Sequence, residues 1–135
     1  MNEQQVLDVK EQFKKLMSYA KEYIPERFEG IYHMHTSFGG RLLTAPASSV
    51  EHYHNAFPGG YIDHVLRVVE TSMSLYDFYC ENGMSVEGFT KENLVFVAIH
   101  HDLGKLGFPG EGRERYLPNK SEWHIKNMGK IYTPN

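Results

Sequence analysis

The chain has 135 residues, of which 41% are hydrophobic and 23% charged, and its formal net charge at pH 7 is −3. This length suits one domain with a single modest core, and the mild negative charge gives no electrostatic reason to expect tight nucleic-acid binding. The single cysteine, Cys80, excludes an internal disulfide, and the apolar run 94–99 is too short to cross a bilayer. Because the N-terminus also lacks the basic and apolar segments of a secretory signal, we expect a cytoplasmic protein without a membrane partner.

The N-terminal segment 1–24 is predicted to be a helix. Its apolar residues recur at helical spacing from residue 3 to residue 23, and Pro25 supplies a stop. The segment 25–58 contains three prolines and a Gly-Gly pair, so we interpret it as loop with a short helix near 48–55. His33 and His35 fall in this predicted loop, where a solvated pair of histidines is the simplest interpretation.

Two further helices follow in the second half of the chain. Residues 61–81 show helical spacing, Tyr76, Phe78 and Tyr79 are predicted to be core residues, and Asn82-Gly83 ends the helix. Thr90 is a suitable N-cap for a helix over the run 94–99. The run by itself is also compatible with a buried strand, but the cap and the length favour a helix buried on every side.

The segment 108–135 is rich in Gly, Pro and charge, and it is predicted to be a loop-rich tail with a short helix near 121–132. Together the elements predict an all-α fold in a single domain over residues 1–135.

The residues that carry chemistry stand at the ends of two predicted helices. His101 and Asp102 offer an imidazole nitrogen and a carboxylate oxygen, which suit Mn²⁺, Fe²⁺, Ni²⁺ or Mg²⁺ better than a thiolate-preferring ion. Adjacent helical positions diverge by about 100°, so a shared metal requires the chain to leave the helix there, and Gly104 permits this. His64, on the inward face of its helix, is the third candidate ligand. Lys105 adds a cation that suits a phosphate.

The segment Gly59-Gly60-Tyr61-Ile62-Asp63-His64, followed later by His101-Asp102-Leu103-Gly104-Lys105, resembles the motifs of the HD superfamily of metal-dependent phosphohydrolases. The resemblance covers residues 48–107. It implies an HD-domain-like helical bundle in which His64, His101 and Asp102 hold one or two divalent cations (Mn, Fe, Ni, Co or Mg). It also implies that Asp102 and Lys105 are catalytic and that Lys105 contacts phosphate. As a small stand-alone HD-like protein, the chain is similar to HD proteins from bacteria and their phages.

Three further residues are candidates around this motif. His54, ahead of the Gly-Gly pair, resembles a histidine near the site of some bacterial 3′-to-5′ exoribonucleases, so it is a candidate for substrate binding; a surface histidine is the alternative. Arg113, with Arg115 and Lys120, lines a phosphate pocket in one interpretation and a solvated loop in the other. His124 resembles an extra ligand of two-metal HD families, and its alternative is a tail histidine beside a packed tryptophan.

The chain departs from the HD pattern in one respect. HD domains normally complete the metal shell with an Asp from a later helix, whereas this chain has no Asp after Asp102. The chain is therefore either a truncated form without its C-terminal helices or one that has lost the last ligand.

The expected activity is hydrolysis of a phosphate ester, with a nucleotide or phosphodiester as substrate, by metal-activated water. Two alternatives stay open. One is a catalytically inactive HD module with a binding or regulatory role. The other is a two-iron HD-type oxygenase, which needs more ligands than the chain clearly supplies.

Overall fold

The elements of the computed structural model, which describes all of residues 1–135, are mainly helices. They are α1 (Glu3–Tyr23), α2 (Phe28–Thr36), α3 (Arg41–Thr44), α4 (Gly60–Glu81), α5 (Lys91–His100) and α6 (Glu122–Met128). Short 3-10 turns cover Pro25–Arg27 and Leu103–Leu106, and the strands β1 (Tyr116–Pro118) and β2 (Tyr132–Pro134) pair antiparallel. The helical fold class is therefore confirmed, with 59% of residues in helices, and a two-stranded sheet is added that was not predicted.

The predicted bounds of α1 are confirmed because the sequence supplies both its start and its inner face. Asn2 caps the helix by accepting a hydrogen bond from the backbone of Gln5, whose side chain accepts one from the backbone of Asn2. The apolar face then buries Leu16, Met17 and Ala20. No helix of the protein is long and apolar enough to span a bilayer.

Helices α4 and α5 pack against each other and against α1, and they contribute most of the core. Thr90 caps α5 by accepting from the Asn93 amide at 3.2 Å, as predicted. The largest fully buried side chains come mainly from these helices: Leu16, Tyr61, Ile62, Val65, Val69, Val95 and Ile99. The N-terminal end of α4 lies beside the C-terminal end of α5, because His64 and His101 are in contact there.

Two predictions about burial are wrong. Helix α5 is not buried on every side, because Val97 is 57% exposed on its outer face. Phe78 and Tyr79 are 56% and 42% exposed and are not core residues. The reason is length: the buried residues of α4 all lie at or before Val69, so the last turns of this 22-residue helix extend past the core.

The prediction for residues 25–58 is also largely wrong. Two helices, α2 and α3, lie in this predicted loop, and no helix forms over 48–55, where the chain makes turns and a bridge from Val50 to Lys130. His35 is fully buried on α2, one turn after the buried Ile31, whereas His33 is exposed. Helix α2 has only nine residues and shows little apolar periodicity. The prolines and glycines around it therefore favour a loop prediction.

The tail 108–135 has more structure than the predicted loop with one helix. Helix α6 lies within the predicted range and ends at Gly129, whose φ of 62° is left-handed. The tail also contributes the β1–β2 hairpin, a wide one whose connection, residues 119–131, contains α6. The tail attaches to the loop before α4 because the backbone N–H of Glu51 donates to the carbonyl of Gly129 (2.6 Å) and that of Tyr132 donates to the carbonyl of Ser49 (3.1 Å). The tail thus covers the loop that leads into α4.

Candidate metal centre

Three side chains from two helix ends meet at one point of the surface. His64 lies in the first turns of α4, His101 directly follows α5, and Asp102 follows His101. The backbone of His101 is still helical (φ −58°, ψ −30°), whereas Asp102 has φ −115° and ψ 16°. The chain therefore leaves the helix at Asp102, which lets neighbouring side chains face the same point. Gly104 is not needed for this exit, because it has no left-handed φ and a Cβ there would meet open space.

The three potential donor atoms form a small triangle. The Nε2 atom of His64 lies 3.0 Å from Oδ2 of Asp102 and 3.3 Å from Nε2 of His101. The Nε2 atom of His101 lies 3.4 Å from the same Asp102 oxygen. Donors held about 2.1 Å from one cation at tetrahedral or octahedral angles are about 3.0–3.4 Å apart, so the triangle has the size that a metal requires.

The hydrogen bond of His101 fixes which of its nitrogens can bind a cation. Its Nδ1 lies 2.7 Å from the carbonyl oxygen of Ala98. Because a carbonyl only accepts hydrogen bonds, Nδ1 carries a proton, which leaves Nε2 as the nitrogen that can present a lone pair to the triangle. Metal-binding histidines commonly have this arrangement, in which the second nitrogen donates to a backbone carbonyl.

His54 belongs to a second set of potential donors, which shares His64 and Asp102 with the triangle but does not include His101. One ligand atom each from His54, His64 and Asp102 lies within 4.8 Å of the others, so this group could hold a metal ion. The rings of His54 and His64 have centroids 4.5 Å apart. The sequence suggested His54 only as a substrate-binding residue, whereas the structure places it among the potential ligands.

Lys105 brings a positive charge to the cluster formed by His54, His64, His101 and Asp102. Its Nζ lies 3.0 Å from Oδ2 of Asp102 and 3.4 Å from Nε2 of His54. The position i+3 from Asp102, within the 3-10 turn, brings the two side chains together. The lysine predicted to contact phosphate therefore adjoins the predicted ligands.

The electrostatics keep the potential ligands in the forms that bind cations. Burial lowers the pKa of His64, and the neighbouring His54 adds to this effect, while Asp102 opposes it. Burial acts to raise the pKa of Asp102, but the hydrogen bond and charge of Lys105, with His101 and His64, outweigh it and leave the pKa below its ordinary value. His64 is therefore neutral and Asp102 ionised near neutral pH, as metal ligands must be.

A network around Asp63 holds the His54 loop against α4. Oδ2 of Asp63 accepts from Nδ2 of Asn55 (2.8 Å), and its Oδ1 accepts from Nε2 of Gln12 on α1 (2.8 Å). Asn55 has φ 52° and also donates to the carbonyl of Gly60 at 3.0 Å. A Cβ at Gly60 would lie 2.1 Å from the carbonyl oxygen of Asn55, so only glycine fits there. We did not predict this network, for which the polar pair Asn55 and Asp63 was the only signal.

Two other predicted site residues lie elsewhere. The guanidinium of Arg113 lies over the ring of Phe108, 5.1 Å from its centroid, and does not contact the cluster. The Nδ1 of His124 lies 2.6 Å from Oγ of Ser121 on the exposed start of α6, and His124 is not in the group of potential ligands. None of the acids after Asp102 belongs to this group, so none of them stands in for the later Asp that is found in HD domains.

Comparisons with protein-family models, with curated proteins and with solved structures find no match to this chain. The function is therefore inferred from the geometry of the cluster and from the motifs in the sequence.

Proposed function

We propose that this protein is a cytoplasmic, metal-dependent phosphohydrolase of the HD type, in which His64, His101 and Asp102 hold a divalent cation. The observation that carries the proposal is the triangle of donor atoms, 3.0–3.4 Å on a side, formed by residues from two separate helices. His64 and His101 are 37 positions apart in sequence, and two imidazole nitrogens beside a carboxylate are a donor set that suits a divalent cation.

His54 is proposed as a further protein ligand beside His64 and Asp102. HD domains supply a later Asp, which this chain lacks, and His54 offers a nitrogen donor within reach of His64 and Asp102. An imidazole in place of a carboxylate shifts the preference towards Fe²⁺, Co²⁺ or Ni²⁺ and away from Mg²⁺, which prefers oxygen ligands.

The substrate proposed for this centre is a phosphate ester, such as a nucleotide or a phosphodiester. When bound, the cation supplies Lewis-acid activation of a water and of the phosphoryl group. Lys105 is close enough to Asp102 to place its ammonium group beside the phosphate and to offset the charge that develops there. Asp102 accepts the hydrogen bond of Lys105 and keeps that ammonium directed at the cluster.

The test compares metal content and hydrolysis in matched variants of the full chain. We expect the wild-type protein to bind Mn²⁺ stoichiometrically and to hydrolyse p-nitrophenyl phosphate or bis(p-nitrophenyl) phosphate. Asp102→Ala should lose both properties. Asp77→Ala, which removes an aspartate that pairs with Lys91 at the far end of α4, should keep both. Retention of stoichiometric metal by the Asp102 variant would overturn the ligand assignment.

A second candidate function is a metal-binding module without catalysis. It is favoured by one observation: Asp102 is the only carboxylate in the group of potential ligands. Stoichiometric metal without turnover of either ester would support this candidate over the hydrolase. The two-iron oxygenase has less support, because a pair of irons needs more carboxylate ligands than this cluster contains.

A further inference from the structure

A cavity of about 360 Å³ lies between α3, the loop before α4 and the β1–β2 hairpin. Lys105 forms part of its wall, and the Nζ of Lys105 also contacts Asp102 and His54. The cavity therefore adjoins the candidate metal centre and shares one residue with it. Its volume lies in the range that holds small organic ligands, which is about 300–1,000 Å³.

Two arginines line the cavity, and one of them has neither a carboxylate nor a carbonyl partner for its guanidinium. The guanidinium of Arg41 donates to the backbone carbonyls of Leu106, Phe108 and Gly110 and lies 3.7 Å from Glu114. Arg115 has no carboxylate partner and lies over the ring of Tyr116, 5.6 Å from its centroid. Its planar group can therefore stack on, or donate hydrogen bonds to, a ligand in the cavity.

The other walls are flat and largely apolar. Pro46 and Pro58 come from the loops next to α3 and α4, and Tyr116 and Tyr132 come from the two strands of the hairpin. Rings of this kind pack well against a planar ligand. Burial raises the pKa of Tyr132, so its hydroxyl stays protonated and can donate a hydrogen bond.

We propose that this cavity binds the organic part of the phosphorylated substrate, that this part is aromatic, and that Arg115 determines the specificity for it. This inference deepens the proposed function and rests on it: the phosphate would lie at Lys105 and the ring would extend between the prolines and the hairpin tyrosines. Arg115, Tyr116 and Tyr132 lie outside residues 48–107, to which the HD resemblance is confined, so substrate choice is assigned to a part of the chain that carries no HD motif.

The test uses two phosphonates, which cannot be hydrolysed because a P–C bond replaces the ester. Methylphosphonate presents the anion alone, and benzylphosphonate adds an aromatic ring. We expect calorimetric titration of the Mn²⁺-loaded full chain to show benzylphosphonate binding at least about tenfold more tightly, as a filled apolar pocket typically gives. Equal affinity for the two phosphonates would overturn the proposal.

Two variants and one control locate the effect. Arg115→Ala should reduce the preference for benzylphosphonate to about threefold or less. Thr44→Trp, which places a large ring at the exposed rim, should weaken benzylphosphonate and not methylphosphonate. Arg113→Ala removes an arginine outside the cavity and should keep the full preference. If Arg115→Ala also keeps the preference for benzylphosphonate, Arg115 does not determine the specificity.

The outcomes separate this inference from the proposed function. A preference for benzylphosphonate that depends on Arg115, in a protein that turns over no phosphate ester, would overturn the hydrolase and support the cavity. Ester hydrolysis without any preference between the phosphonates would support the hydrolase and overturn the proposal that the cavity binds an aromatic group.

Discussion

Nδ2 of Asn55 donates a 2.8 Å hydrogen bond to Oδ2 of Asp63, which joins the loop that carries His54 to the helix that carries His64. Gln12 donates a hydrogen bond to Oδ1 of Asp63, and Nε of Arg67 lies 3.0 Å from Oδ2. Although Asp63 directly precedes a candidate ligand, its carboxylate is fully used in holding α1, α4 and the loop together. It is a positioning residue of the cluster.

Asp63→Ala should therefore weaken metal binding without removing a ligand. The variant leaves the amides of Asn55 and Gln12 without their acceptor, and we expect a loss of about 1–3 kcal/mol in the free energy of unfolding. The released His54 loop should reduce Mn²⁺ affinity by about tenfold. Urea unfolding and a Mn²⁺ titration measure the two effects. Asp8→Ala, whose carboxylate only binds the exposed Gln4 within α1, is the control and should change neither quantity.

Gly60→Ala should disrupt the same region through sterics. The added methyl group would lie 2.1 Å from the carbonyl oxygen of Asn55, which is backbone and cannot rotate away. We expect destabilisation of more than about 2 kcal/mol and loss of Mn²⁺ binding. The control is Gly40→Ala, where a Cβ meets nothing within 4 Å. A Gly60 variant that unfolds at the same urea concentration as the Gly40 variant would contradict this account.

Lys105→Met should separate metal binding from phosphate chemistry. The ammonium lies 3.0 Å from Oδ2 of Asp102, where it competes with a cation for the same carboxylate. Its removal is expected to raise Mn²⁺ affinity by about threefold to tenfold, because a like charge is taken from the site. Turnover of p-nitrophenyl phosphate should fall by about 100-fold, since the phosphate loses its cationic contact. Unchanged turnover would show that Lys105 does not contact the reacting phosphate.

The buried His35 should make folding sensitive to acid. Burial lowers the pKa of His35, and the nearby His100 contributes to this, although a hydrogen bond to the carbonyl of Ile31 opposes it. The unfolded chain therefore takes up a proton at this residue below about pH 6.5, whereas the folded chain does so only at lower pH. Stability is complete above pH 6.5 and falls as the pH drops towards the folded pKa, by up to about 1.4 kcal/mol per pH unit.

His35→Met removes this titration and should flatten the dependence. The Nε2 of His35 is buried without a hydrogen-bond partner, so its replacement by an apolar side chain removes one unsatisfied polar atom as well. The measurement is urea unfolding of wild type and variant at pH 7.5 and 5.5. An equal loss of stability in both proteins would show that other groups account for the acid sensitivity.

The long helices were predictable because local signals agree with the final packing. In α1 and α4 the apolar spacing, together with the cap at Asn2 and the stop at Asn82-Gly83, favours the observed bounds, whereas α5 is indicated by its cap at Thr90 and its length. The meeting of His64, His101 and Asp102 was also predictable, since the motif places them at helix ends that share one edge of the bundle.

The remaining features depend on contacts between segments that are distant in sequence. The burial of His35 requires α2 to pack on α1, and α2 is too short to reveal its inner face by periodicity. The hairpin forms because Tyr116 and Pro134 come together across α6, which three-residue strands do not signal. The loop that brings His54 to the cluster is held by the hydrogen bond from Asn55 to Asp63, a pairing that no local pattern contains.

The extension of α4 beyond the core provides a site for attaching a spectroscopic label. Cys80, the chain's one cysteine, is exposed in this overhanging part of the helix. It lies about 24 Å along the helix axis from His64 at 1.5 Å per residue. A thiol-reactive fluorophore would thus attach at a single defined position, without mutagenesis and without touching the imidazoles. Quenching of that dye by a coloured ion such as Co²⁺ or Ni²⁺ would then report occupancy of the opposite end of the bundle directly.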